Sequence, residues 1–161
     1  MMRDLMISVA VAFSAIAAAW LLWPEAEPMP ETSFHLTDGR ILASSELRGR
    51  SVLINFWSVS CEVCLQDMPT LTRLHESLAA ENFMVLAVAA AHDPPPAVIS
   101  MVERLQPGYP VALDVHGEIS AAFGGIETTP TSILVRPDGK ISDTHRGPID
   151  EMRIRATLLT F

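Results

Sequence analysis

SVLINFWSVSCEVCLQDMP, residues 51–69, passes from a strand pattern to a helix pattern through a pair of cysteines. Its first part, Val52 to Trp57, is a run of β-branched and aromatic residues at strand length. Ser58-Val59-Ser60 then turns the chain into Cys61-Glu62-Val63-Cys64, which holds the only two cysteines of the protein. Beyond them Met68, Leu71, Leu74 and Leu78 recur at helical spacing, so the segment reads strand, turn, Cys-x-x-Cys, helix. With Cys61 at the helix start, Cys64 follows one turn later on the same face. The Cys61 sulfur then meets unpaired backbone N–H groups and the positive end of the helix dipole. Both favour the thiolate, the reactive form of cysteine. The residues point to redox exchange.

Two other readings stay open. A purely structural disulfide suits an oxidising compartment, but so short a loop gains little from closure. A structural zinc site takes about four ligands, and there is no second Cys-x-x-Cys and no histidine pair. His35, His75, His92, His116 and His145 are scattered along the chain. A copper carrier using both cysteines, with His145 as third ligand, is the best form of the metal reading.

NFWSVSCEVCLQDMPTL, residues 55–71, resembles the active-site segment of the membrane-anchored thioredoxin-like proteins of the TlpA/ResA type, NFWAxWCxxCxxEMPxL. The resemblance runs from about Phe34 to the C-terminus, with a second anchor at Thr129-Pro130 in GGIETTPTSILVRPDGK, residues 124–140. It implies an α/β thioredoxin fold with an N-terminal β-hairpin extension. It also implies a cis Pro130 beside the cysteines, a Thr129 backbone that pairs with bound substrate, and Trp57 among the substrate-binding residues. In this scheme Cys61 is the nucleophile and Cys64 resolves the mixed disulfide, without cofactor or metal. The implied partners are protein disulfides and a membrane thiol-electron donor, met by a monomer.

The chain departs from thioredoxin itself at several positions. Asn55 stands where thioredoxin has a buried, proton-moving aspartate; Ser60 replaces the tryptophan before the first cysteine, and Val63 the proline between the two. Glu62, inside the motif, is a candidate for the missing carboxylate, or simply a favourable acid in the first helical turn. Glu127, three residues before Pro130, is a second candidate.

The remaining sequence sets the context. With 161 residues there is room for one domain and an appendage, and a formal net charge of −8 argues against a nucleic-acid partner. Residues 5–23 carry no charge. As a helix they span about 28 Å, close to a bilayer's hydrocarbon thickness. Arg3 on one side and Glu25, Glu27 and Glu31 on the other predict the domain outside the cytoplasm. Residues 1–23 therefore read as an uncleaved anchor, with a cleaved signal peptide as the alternative. Residues 24–33, rich in Pro and Glu, read as a stiff linker, and 34–161 as the thioredoxin-like domain. Within the domain Asn82–Ala90 reads as a buried strand, Thr37-Asp38-Gly39 and Arg136–Gly139 as hairpin turns, and Pro69 as a bend in its helix. The combined expectation is a periplasmic, membrane-tethered reductase of protein disulfides, serving cytochrome c or copper-site maturation. Its alternatives are an oxidant or isomerase, or a copper chaperone.

Overall fold

A computed structural model describes residues 26–161. The expected anchor at residues 5–23 lies outside the described residues. Among the described residues no helix is long and apolar enough to cross a membrane.

Seven strands form one mixed sheet. They are β1 (Ser33–Leu36), β2 (Ile41–Ala43), β3 (Ser51–Trp57), β4 (Phe83–Ala89), β5 (Val111–Leu113), β6 (Thr131–Val135) and β7 (Ile141–Arg146). Their order across the sheet is β2-β1-β5-β4-β3-β6-β7. The centre, β5-β4-β3, is parallel, while β6 runs antiparallel to β3 and the β1–β2 hairpin adds antiparallel strands beyond β5. This is the thioredoxin-like α/β architecture with an N-terminal hairpin. Parallel strands need crossovers, and α1 (Glu62–Ser77) and α2 (Pro95–Leu105) supply them. Two further helices are α3 (Glu118–Ala122) and α4 (Glu151–Leu158).

Every residue of β3 and of β4 is buried. Strand alternation explains how β3 serves two cores. Leu53 and Trp57 face a core completed by Cys64, Met68, Leu71 and Leu74 of α1, Val98 of α2 and Ile154 of α4. Val52, Ile54 and Phe56 face the opposite core, with Phe34 of β1, Met29 and Ile119 of α3. Burying each large side chain stabilises the fold by roughly 1.5–3 kcal/mol. The buried pair β3–β4 thus carries, at its C-terminal end, the turn that leads into the cysteines.

Among the described residues of the expected linker, Glu27 to Met29 are hydrogen-bonded alongside the start of β7. The Met29 N–H donates to the Gly139 carbonyl at 2.8 Å, and the Ile141 N–H to Glu27 at 2.7 Å. Met29 is only 7 % exposed. One methionine at the right place suffices to dock a short segment whose overall composition is polar. Pro69 is likewise milder than expected: α1 runs without a break from Glu62 to Ser77, with the proline on its exposed side.

Candidate active site

The site is built where β3 ends. The Ala90 N–H donates to the Trp57 carbonyl at 2.8 Å, so the ends of β3 and β4 are still tied as the chain turns away. Ser58 to Ser60 form a tight turn that closes with the Cys61 N–H donating to the Ser58 carbonyl at 3.1 Å. Cys61 is the N-cap of α1, in extended backbone conformation, and its sulfur accepts the Cys64 N–H at 3.2 Å. That sulfur fills the place normally taken by a capping oxygen.

Cys61 and Cys64 form a disulfide with Cα atoms 5.2 Å apart. Their exposures differ: Cys61 is partly exposed, whereas Cys64 is 2 % exposed and belongs to the core. A reagent in solution therefore meets Cys61 first. Val63, between them, is 39 % exposed and presents an apolar surface beside the reachable sulfur.

Thr129-Pro130 is a cis peptide at the entry to β6. The Thr131 hydroxyl donates to the Thr128 carbonyl at 2.7 Å, and the Gly147 N–H to the Pro130 carbonyl at 2.9 Å. Since β6 neighbours β3, with Phe56 opposite Thr131, this loop and the cysteine turn leave adjacent strands at the same end of the sheet. Thr129 lines a cleft of about 190 Å³ together with Phe56, Ala90, His92, Ser120 and Glu127. Phe56 is buried within it, while His92 and Glu127 are exposed at its edge.

The remaining expected residues fall in different places. Trp57, expected at the substrate surface, is 1 % exposed and packs in the same core as Cys64. Glu62 is exposed and accepts a hydrogen bond from the Gln66 amide at 3.3 Å, on the outer face of α1. Glu127 is exposed at the cleft rim. Asn55 is buried, with its amide donating to the Ser132 hydroxyl at 3.0 Å. His145 donates from Nε2 to the Pro148 carbonyl at 3.0 Å. Among the described residues no three His, Cys, Asp or Glu side chains gather as a metal site.

Two acids went unnoticed in the sequence. Asp67 follows Cys64 by three residues, so the two are neighbours on one helix face. It is half-buried, and its carboxylate accepts the Ile149 N–H at 3.0 Å. Burial raises its pKa above the ordinary aspartate value, against the lowering effects of the Ile149 N–H and His145. The signal for it was its position where the quoted family pattern has Glu before Met-Pro. Asp93, 7 % exposed, lies beneath the cysteine turn. Its only signal was an acid between an apolar strand and three prolines, a pattern that reads equally well as an ordinary helix start.

Known proteins agree with this geometry. The family model described as Redoxin matches residues 24–158. The thiol-disulfide oxidoreductase ResA of Halalkalibacterium halodurans is 29% identical over 117 residues, which is 73% of this chain and 65% of that protein. The Bacillus subtilis protein of the same name is 25% identical over 142 residues, covering 88% of this chain and 78% of its own. A candidate thioredoxin of Neisseria meningitidis, solved in solution, superposes with a TM-score of 0.76 at 30% identity, over 84% of this chain and 90% of the other. The matched span includes the cysteine turn, α1 and the cis-proline loop, and the chain belongs to the redoxin family.

Proposed function

We propose that this chain is a thiol-disulfide oxidoreductase that works as a reductase of protein disulfides, tethered to a membrane with its domain on the extracytoplasmic side. The observation that carries the reading is the asymmetric pair at the start of α1, with Cys61 reachable and Cys64 buried behind it. The names of the ResA relatives and the uncharged stretch at residues 5–23 support it. Maturation of cytochrome c or of copper-site proteins is the assignment we favour, because both need cysteines kept as thiols.

The chemistry follows from the asymmetry. In the dithiol form the Cys61 thiolate attacks one sulfur of the substrate disulfide, forming a mixed disulfide and releasing the other substrate sulfur as thiolate. Cys64 gives up its proton and attacks the Cys61 sulfur. The second substrate thiolate leaves, two electrons have passed to the substrate, and the Cys61–Cys64 disulfide is restored. A dithiol donor at the membrane returns the pair to its reduced form. Asp67, adjacent to Cys64 and raised in pKa by burial, is placed to take that proton, in the role an amide at Asn55 cannot fill. The Thr129 backbone pairs with the extended substrate segment, Pro130 keeps that loop from offering an N–H to the sulfurs, and Val63 meets the apolar flank of the substrate. Trp57 acts from beneath, as packing for the pair.

A glutathione redox titration of the full chain tests the direction of transfer. A reductase has a potential more negative than about −200 mV. A value near about −120 mV, in the range of a dedicated oxidase, would reverse the assignment.

A further inference from the structure

Asp93 is the most completely bonded charged group near the cysteines. Its side chain is 3% exposed. The Ser58 hydroxyl donates to one carboxylate oxygen at 2.8 Å, and the Val59 N–H donates to the other at 2.9 Å. The Asp93 N–H is itself held by the Ala90 carbonyl at 3.0 Å, at the end of β4. A carboxylate on one strand end therefore grips the turn that leaves the neighbouring strand end.

The grip continues towards Cys61. A hydroxyl has one proton to give and two lone pairs. Ser58 gives its proton to Asp93, so its oxygen is left to accept, and the Ser60 N–H reaches it at 3.2 Å. The Ser60 hydroxyl lies 3.0 Å from the same oxygen and His92 Nε2 3.3 Å from it. His92 Nε2 is also 3.7 Å from Asp93. Because the imidazole meets both groups through one nitrogen, this is no nucleophile–base relay; the cluster serves position and charge. Ser58 and Ser60 stand where the TlpA/ResA pattern has alanine and tryptophan, so the hydroxyl network is a feature of this chain.

We propose that Asp93 is the positioning residue of the reactive cysteine: it fixes the turn that delivers Cys61, and its buried negative charge opposes the Cys61 thiolate. The inference rests on the reading of Cys61 as nucleophile. A negative charge near a thiol disfavours the thiolate, while the helix N-terminus favours it. The other charged groups around the turn are Glu62 on α1, Glu127 at the cleft rim and His92, all three exposed, and half-buried Asp67 one turn further along α1 beside Cys64. Asp93 is the buried member of the set, and burial reduces screening by solvent. Its charge moves the pair towards the reducing side.

The test separates charge from scaffolding. Asp93→Asn can still accept the Val59 N–H and can donate to the Ser58 oxygen, keeping the turn without the charge. In the full chain, Cys61 alkylation is followed against pH, with the modified residue identified by peptide mass, alongside a glutathione titration. The expected result is about three- to tenfold more thiolate at a given pH, with the redox equilibrium moved the same way towards the dithiol. Thermal stability stays close to that of the parent. Exposed His92 gives an independent arm: His92→Glu lowers the thiolate fraction and His92→Lys raises it. If Asp93→Asn melts lower yet leaves Cys61 acidity and the redox equilibrium unchanged, Asp93 is scaffolding only and the proposal falls. If Asp93→Asn does not fold, the longer neutral amide of Asp93→Gln is measured in its place, and unchanged Cys61 acidity there overturns the proposal. Both readouts use this chain's own thiols, so an incorrect substrate class leaves them valid. Alkylation of Cys64 before Cys61 would instead refute the underlying assignment.

Discussion

At the scale of single residues, the balance of charge around Cys61 decides how the pair behaves. The N-terminus of α1 stabilises a thiolate there, and a low-pKa thiolate makes a dithiol a strong oxidant. Glu62 follows Cys61 directly and brings a negative charge that opposes this. Because Glu62 is exposed, with Gln66 as its hydrogen-bond partner, solvent screens it and its effect is modest. Glu62→Gln should increase the Cys61 thiolate fraction and make the potential less negative, by less than the roughly 30 mV that a tenfold change represents. Redox titration of the two proteins side by side measures this, and an unchanged or more negative potential would remove Glu62 from the account. The cysteine pair itself was readable from spacing alone. Asp93 was not, because its role depends on β3 and β4 ending side by side, a relation between residues 34 or more positions apart.

At the scale of elements, α1 is held to the sheet by its apolar face and by one polar contact. His75, in its last turn, accepts the Val85 N–H on Nδ1 at 3.1 Å. That bond requires an unprotonated Nδ1. Burial lowers the pKa of His75 below the ordinary histidine value, partly offset by Glu76. A histidine with a lowered folded-state pKa binds fewer protons folded than unfolded at mildly acidic pH. Stability is therefore complete above the unfolded value, 6.5, and falls as the pH drops from there towards the folded value. Denaturant unfolding between pH 7.5 and 5 should show this loss, and His75→Gln should flatten it; an equal slope in the variant would exclude His75 as its source. The elements themselves were mostly visible in advance: β3, β4 and α1 follow from apolar runs and helical spacing. What the pattern could not give was the docking of Glu27–Met29 along the start of β7, since a single buried methionine leaves no periodicity to read.

At the scale of the whole molecule, the sheet order explains why one end carries the chemistry. The parallel strands β3 and β4 both end there, and antiparallel β6 begins there with Pro130 just before it. Two segments more than sixty positions apart in the chain, each with a recognisable motif, are thus brought to one edge, which is why the site was foreseen in outline. The proposed tether is a property of the full chain. Membrane fractions should retain it through carbonate extraction, and a shortened chain starting near Ala18 or Trp20 in the soluble fraction would refute the anchor. The central claim is that Cys61 attacks and Cys64 resolves, and thiol trapping in cells tests it most directly. Cys64→Ser should accumulate mixed disulfides with substrate proteins through Cys61, and Cys61→Ser should not. Mixed disulfides that accumulate on Cys64 in the Cys61→Ser protein, with none on Cys61 in the other, would contradict the account.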